Sequence, residues 1–329
     1  MEEKEGAQSY EQNPGVWAFV LNRILIDAEL PFELAPDCFI DKASEDQRVR
    51  IKTTLNNLVG KYSYPKPDQH YECEMVLEST PNSQSYNYEP LPESDWRYYV
   101  VISPDNGFTN TNLHYASNIS DVPLELGGLH FLKNGGMGWN SGVLQNHFQF
   151  GFHNQTTKVS RKTLVDLSST YRAFMAVTNG ISGGGDFPEI LRAISMFDSL
   201  RLLPRNSEFH VLGLFAIIEM LITHNPKLED RGDSITHQMQ SKIPLLSHRF
   251  DRPLDYSSFF HSTAENKIWS ALYKYRSAFA HGGIADFQHK ELKPLKDANN
   301  AKAFLEDVVK ALLRHSLKEP RLYKDLRGC

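Results

Sequence analysis

The sequence predicts an α+β protein of two domains, a mixed β-rich domain followed by an all-α helical domain. Three observations support this prediction. At 329 residues the chain is long enough for two hydrophobic cores. Its first half holds short apolar runs between turn residues, which is typical of strands. Its second half holds longer apolar stripes at helical spacing. We place the boundary between residues 157 and 158.

The first domain, residues 1–157, is predicted to combine a little helix with several strands. Apolar residues recur at helical spacing over 14–28, which predicts a short helix. Ser44 followed by Gln47 has the pattern of a capping box and predicts a polar helix that runs toward Gly60. Strand patterns follow over 70–77, 96–102, 124–132 and 143–152.

The second domain, residues 158–329, is predicted to be helical. The segment 211–222 is apolar almost all round, so we expect it to be the buried central helix. Asp186 with Glu189 has a capping-box-like pattern and predicts the start of another helix. The predicted helices cover about 164–178, 187–203, 211–222, 234–247, 268–280 and 301–312.

Charge also differs between the halves. Residues 1–159 carry 11 Lys+Arg and 21 Asp+Glu, a net charge of −10, whereas residues 160–329 carry 24 and 19, a net charge of +5. Only the second half suits a polyanion, and its excess is too small for a dedicated nucleic-acid-binding domain. The chain has no apolar run near the roughly 18 residues of a membrane span, an acidic N-terminus unlike a signal peptide, and no metal or redox spacing among its three cysteines. We expect a cytoplasmic protein with no membrane partner.

The segment 275–282 holds the residues best suited to chemistry, Arg276 and His281. Arginine is a planar cation that can hold a phosphate with two hydrogen bonds. Histidine is the side chain that exchanges protons near neutral pH. Together they are the minimum equipment for cleaving RNA without a metal.

Two other Arg–His pairs have similar spacing, Arg205 with His210 and Arg231 with His237. Both arginines lie in polar or proline-led connectors, so we predict that they are solvated. Arg276 instead lies about 40° from the apolar stripe of its predicted helix. A half-buried charge there interacts more strongly than one in open water, which favours the third pair.

Glu219 is the one charge in the predicted central helix. A buried carboxylate needs a cation or a donor, and Arg276 is one candidate; the alternative is a structural ion pair with another Arg or Lys. His281 also has two interpretations, because a histidine before glycine can simply cap a helix C-terminus. On a continuous helix Arg276 and His281 are about 140° apart, so they converge only if the helix ends between them.

The remaining patterns are weaker. Residues 180–184 match Gly-x-Ser-x-Gly, but a helix rather than a strand precedes them, so we predict a turn. The glycine cluster 134–138 lacks the Lys-Ser/Thr ending of a phosphate loop. His147 and His153 would share one strand face and could reach a metal, but ordinary strand histidines are the simpler interpretation. We expect no cofactor and no metal.

From about Lys162 to the C-terminus the chain resembles the HEPN superfamily, most closely the Apea-like HEPN domains. Three pieces carry the resemblance: LFAIIEML at 214–221, SKIPLL at 241–246 and YKYRSAFAHG at 273–282. The resemblance implies an all-α HEPN-like bundle that dimerises and brings two Arg-x4-His motifs to one cleft.

The resemblance also implies a metal-independent endoribonuclease that leaves 2′,3′-cyclic phosphate ends. Arg276 would hold the scissile phosphate of an RNA substrate and His281 would move the proton. Ser277, the polar residue after the arginine, would support them together with Tyr275 and Glu219. Many relatives resemble toxins or phage-defence effectors, so the first domain could sense a phage protein or another trigger.

Two alternatives stay open. The second domain could be a non-catalytic HEPN-like module that binds a nucleotide or only dimerises. The first domain could instead be the functional part, with the helical domain as its dimerisation handle.

Overall fold

The computed structural model describes residues 15–61, 63, 66–80, 83–103, 108–150, 156–179, 185–204, 207–224 and 234–328. The chain divides into two compact units, residues 1–172 and 173–329. The first unit mixes strands with helices and the second is helical in its described part, which confirms the predicted α+β class. Within the described residues, we find no helix with the length and apolarity needed to cross a membrane.

Ten strands are described in the first unit. They are β1 (Val16–Phe19), β2 (Ile24–Asp27), β3 (Phe32–Ala35), β4 (Cys38–Lys42), β5 (Cys73–Thr80), β6 (Ser83–Pro90), β7 (Tyr99–Ser103), β8 (Leu129–Phe131), β9 (Met137–Trp139) and β10 (Thr157–Ser160). Six of them form one antiparallel sheet in the order β3-β4-β7-β1-β8-β9. Strand β10 pairs with β2 in parallel, and β5 pairs with β6 as a hairpin.

Strand β1 lies inside the sheet, and it replaces a predicted helix. Trp17 is opposite Ile102 of β7 on one side and Phe131 of β8 on the other. All four residues of β1 are buried, so the strand is a continuous apolar run that periodicity alone does not distinguish from a helix. The predicted helix over 14–28 is therefore wrong, because β1 and β2 occupy that segment.

Five helices are described that begin in the first unit. They are α1 (Glu45–Leu58), α2 (Pro67–Glu72), α3 (Phe108–Ile119), α4 (Ser141–Phe150) and α5 (Arg161–Thr178). The predicted capping box of α1 is confirmed, because the Gln47 N–H donates to Ser44 Oγ and the Ser44 N–H donates to Gln47 Oε1. Helix α5 crosses the division between the two units.

The predicted strand over 143–152 is wrong, because helix α4 lies there. Asn140 was the missed signal: its side-chain oxygen accepts a hydrogen bond from the Val143 N–H, as an N-cap does. Leu144 and Phe148, one turn apart, are both buried. The other predicted strands are shorter or shifted in the structure, since 67–72 is helical and only 129–131 of the segment 124–132 forms a strand.

The second unit contains seven further described helices. They are α6 (Pro188–Leu200), α7 (Phe209–Ile222), α8 (Ile235–Ser247), α9 (Tyr256–Phe260), α10 (Glu265–Ala280), α11 (Ala298–Lys318) and α12 (Pro320–Leu326). Helix α7 packs against α6, α8, α10, α11 and α12, so the predicted central helix is confirmed. The N-cap of α6 is Phe187 and makes no side-chain cap, so the capping box predicted at Asp186 is wrong.

Candidate functional site

The helix that carries the Arg–His motif is anchored by the apolar stripe that the sequence predicts. Ile268, Leu272 and Tyr275 are buried, and Phe279 packs its ring edge against Tyr275 with 4.8 Å between centroids. Burial, with the carboxylates of Glu208 and Asp297 nearby, raises the pKa of Tyr275 to about 12. Tyr275 is therefore a neutral core residue that fixes the rotation of α10.

Helix α10 ends in a Schellman motif. The Gly283 N–H donates to the Ala278 carbonyl at 2.7 Å, and the Gly282 N–H donates to the Phe279 carbonyl at 3.0 Å. Gly282 has φ 72°, a left-handed conformation that glycine adopts without a steric cost. His281 is the C-cap residue, and it is exposed.

Arg276 pairs with Glu219 of the central helix, the partner that the sequence suggested. Arg276 Nη2 lies 3.5 Å from Glu219 Oε1, and the two side chains are 30% and 20% exposed. The guanidinium also lies 5.7 Å from the centroid of the Tyr273 ring. The arginine is thus held from two sides while about a third of it faces solvent.

The negative charge of Glu219 is only partly compensated by Arg276. Burial raises the pKa of its carboxyl, and the charge of Arg276 opposes that shift. Glu219 Oε1 is buried and accepts no hydrogen bond from any residue that the structure describes. The contact of Arg276 Nη2 with Glu219 Oε1 is therefore a charge interaction without a directional hydrogen bond.

Arg276 and His281 do not meet within one chain. The helix continues through Ala280, so the two side chains are about 140° apart around its axis. Within the described ranges, neither a hydrogen bond nor an ion pair joins them. Ser277 lies between them in sequence, and its carbonyl accepts the His281 N–H at 3.2 Å.

The competing Arg–His pairs are only partly visible. His210 is buried with Nε2 3.3 Å from the Leu203 carbonyl oxygen, and burial lowers its pKa. His237 is exposed in the first turn of α8, where its N–H donates to Ser234 Oγ. Arg205 and Arg231 lie outside the described residues, as does the segment 180–184 with its predicted turn.

Two histidines that the sequence did not connect are brought together in the first unit. His70 Nε2 and His147 Nε2 are 3.2 Å apart, with the rings at 88° to each other. His147 lies on α4, so the strand face predicted to join it to His153 is wrong for His147, and His153 lies outside the described residues. Among the residues with described positions, no group of three His, Cys, Asp or Glu side chains could hold a metal ion.

Lys242, in the SKIPLL segment, joins two helix ends. Its Nζ donates to the Ile222 carbonyl at 3.0 Å and to the Leu326 carbonyl at 2.7 Å. These are the last residues of α7 and α12, where the helix dipoles favour a cation. No pattern in the sequence indicated this role.

Comparisons with known proteins yield no relative. No protein-family model, no curated protein and no solved structure matches the chain.

Proposed function

We propose that this chain is a metal-independent endoribonuclease of the HEPN type that acts as a homodimer. The observation that carries the proposal is the setting of Arg276: Glu219 and Tyr273 hold it, and about a third of it is exposed. It precedes the exposed His281 on the same helix end. A positioned cation from one copy and an exposed imidazole from a second copy would together suit phosphate chemistry.

The packing of the second unit supports the resemblance to HEPN domains. The three resembling pieces lie on α7, α8 and α10, respectively, and α10 packs against both of the others. Glu219 and Arg276 come from two of these pieces and form an ion pair. Segments that are far apart in sequence therefore contribute to one neighbourhood.

In the proposed reaction, one imidazole of His281 removes the proton from a ribose 2′-OH. The 2′-oxygen attacks phosphorus, and the bond from phosphorus to the 5′-oxygen breaks. A protonated imidazole gives its proton to the leaving 5′-oxygen, and Arg276 stabilises the charge that develops on the phosphoryl oxygens. The products are a 2′,3′-cyclic phosphate and a 5′-hydroxyl.

A second copy of the chain has a definite role in this proposal. Within one chain the arginine and the histidine lie on different sides of α10, so a single copy offers an incomplete site. A dimer that brings two helix ends together supplies two imidazoles, one as base and one as acid, and two guanidiniums. The biological role would be that of a toxin or phage-defence effector, restrained or triggered through the first domain.

The test is cleavage of a generic single-stranded RNA by the purified full-length protein in EDTA. We expect cleavage with 2′,3′-cyclic phosphate ends, identified by mass spectrometry of the fragments. Activity that disappears on chelation and returns with magnesium would contradict the mechanism. So would an absence of cleavage at micromolar protein.

The alternative is a non-catalytic module that binds a nucleotide or only dimerises. The ion pair of Arg276 with Glu219 favours it, because that contact already gives the arginine a structural role. Tight binding of a nucleotide without any RNA cleavage would support this alternative.

A further inference from the structure

A cavity of about 210 Å³ lies in the first unit, between the end of α1 and one side of α4. Its inner wall is Leu144 and Phe148 of α4, which are 1% and 4% exposed and belong to the hydrophobic core. Leu58 and Val59, at the end of α1, form a second apolar wall. The cavity therefore reaches from the surface to the core.

The mouth of the cavity carries an aromatic side chain. Trp139, the last residue of the edge strand β9, lines the cavity and is 49% exposed. Such exposure is unusual for the largest apolar side chain. A tryptophan at a cavity mouth offers a flat surface on which a planar ligand can pack.

The cavity wall also contains a buried polar atom, Ser63 Oγ. Ser63 Oγ is buried and forms no hydrogen bond within the described part of the chain. A buried hydroxyl without a partner is costly, and a ligand that supplies one removes that cost. The other polar residues of the described lining are Ser141 and Gln145. Both lie at exposed positions of α4 and are uncharged.

We propose that this cavity binds a neutral aromatic molecule of one or two fused rings that carries a single hydrogen-bonding group. Its volume exceeds the roughly 150 Å³ of an apolar cavity that admits benzene. Because no described residue of the lining is Asp, Glu, Lys, Arg or His, a charged ligand would lose its hydration without an opposite charge from them. The ring packs between Trp139 and Phe148, and its polar group meets Ser63. This site goes beyond the proposed RNA cleavage and does not depend on it.

The experiment is calorimetric titration of the full-length protein with benzamide, benzoate and indole, supported by ligand-detected NMR. Benzamide and benzoate have nearly the same shape and differ in charge. We expect benzamide and indole to bind with a Kd of about 1 mM or tighter, and benzoate at least about tenfold more weakly. Equal binding of benzoate and benzamide, or no binding of either neutral ring, would overturn the proposal.

Substitutions of lining residues test whether the ligand binds in this cavity. Val59→Trp, at the C-cap of α1, fills the cavity and should weaken benzamide binding at least about tenfold. Val49→Trp makes the same change at an exposed position within α1 and should leave the Kd unchanged. Ser63→Ala should weaken benzamide by about fivefold. Ser63→Ala removes one oxygen atom and adds no bulk, so it should fold normally. It therefore still tests the site if Val59→Trp misfolds. Unchanged affinity in Ser63→Ala and in a folded Val59→Trp would place the ligand elsewhere.

Discussion

His70 and His147 are 77 residues apart in sequence, and their Nε2 atoms are 3.2 Å apart in the structure. His70 is 7% exposed. Burial lowers its pKa well below the ordinary value, and the neighbouring His147, Arg23 and Arg97 lower it further. Glu74 pairs with both arginines. His70 is thus held neutral, in a hydrogen bond in which one imidazole N–H donates to the other ring.

This pair should make the first unit sensitive to acid. The unfolded chain protonates His70 near its ordinary pKa, whereas the folded chain does so only at lower pH, so stability is full above about 6.5 and falls as pH decreases. The loss should reach about 1 kcal/mol near pH 5.5. Denaturant unfolding at pH 7.5 and 5.5 should show this loss in the wild type and a smaller one in His70→Phe. His237→Phe, at an exposed histidine, should keep the wild-type difference.

Glu219→Gln should cost little stability. A large loss would be expected only if the substitution left Arg276 buried without an opposite charge. Arg276 is 30% exposed, so without Glu219 it stays hydrated, and the change should stay within about 1 kcal/mol. A carboxyl whose folded pKa is raised contributes stability at low pH that is lost as pH rises. The variant should therefore gain relative to the wild type between pH 4.5 and 7, as measured by the difference in unfolding free energy. If the variant instead loses unfolding free energy relative to the wild type over that range, the attraction of Arg276 outweighs the burial of the Glu219 carboxylate.

Gly282→Ala should destabilise the end of α10 by about 1 kcal/mol, because a side chain at φ 72° is strained. No atom of the described residues lies within 4 Å of the added Cβ, so the effect reports on the backbone conformation. Gly328→Ala, where the new Cβ makes only ordinary contacts, is the matched control and should be nearly neutral in thermal unfolding. Equal melting temperatures for the two variants would argue against the Schellman ending.

Lys242→Met should cost about 1–3 kcal/mol, because two carbonyl acceptors lose a charged donor. Lys267→Met, at an exposed lysine of α10, should change stability by less than about 0.5 kcal/mol. Denaturant unfolding followed by circular dichroism measures both. A neutral Lys242→Met would mean that water replaces the ammonium group at the two helix ends.

Three variants test the proposed catalytic roles one at a time. His281→Ala should abolish RNA cleavage and leave the melting temperature unchanged, because the imidazole is exposed. Arg276→Lys should lose about a hundredfold or more, since an ammonium does not reproduce the bidentate grip. His237→Ala, an exposed histidine of the same unit, should retain full activity. Retained cleavage in His281→Ala would make the choice of motif wrong.

Dimerisation of the full-length protein is a separate expectation. Light scattering at micromolar concentration should report a mass near twice 37.6 kDa. A monomer at that concentration would leave each Arg276 without the second histidine that the proposal needs.

The helices of the second unit could be predicted because their evidence is local. The stripe through Ile268, Leu272 and Tyr275 spans about two turns, and each of these residues is buried. The ion pair of Glu219 with Arg276 could be suggested because a charge in an apolar helix needs a partner.

The sheet and the cavity could not be predicted in this way. Trp17 belongs to a strand only because Ile102 and Phe131 flank it, and nothing near Trp17 in sequence reports those partners. The short run around Phe148 suits a strand or a helix equally, and the cap from the Asn140 side chain is the local feature that favours the helix. His70 lies on α2 and His147 on α4. Their proximity depends on how these two helices are placed, and no pattern in the sequence indicated it.

The position of β1 inside the sheet also sets an order of events during synthesis. Strand β1 is the earliest described element to leave the ribosome, yet its two neighbours end at Ser103 and Phe131. The growing chain therefore carries an apolar strand with both edges open until Ser103 has emerged, and with one edge open until Phe131 has emerged. Such a nascent segment is a natural binding site for a chaperone, and its exposure ends when β8 arrives.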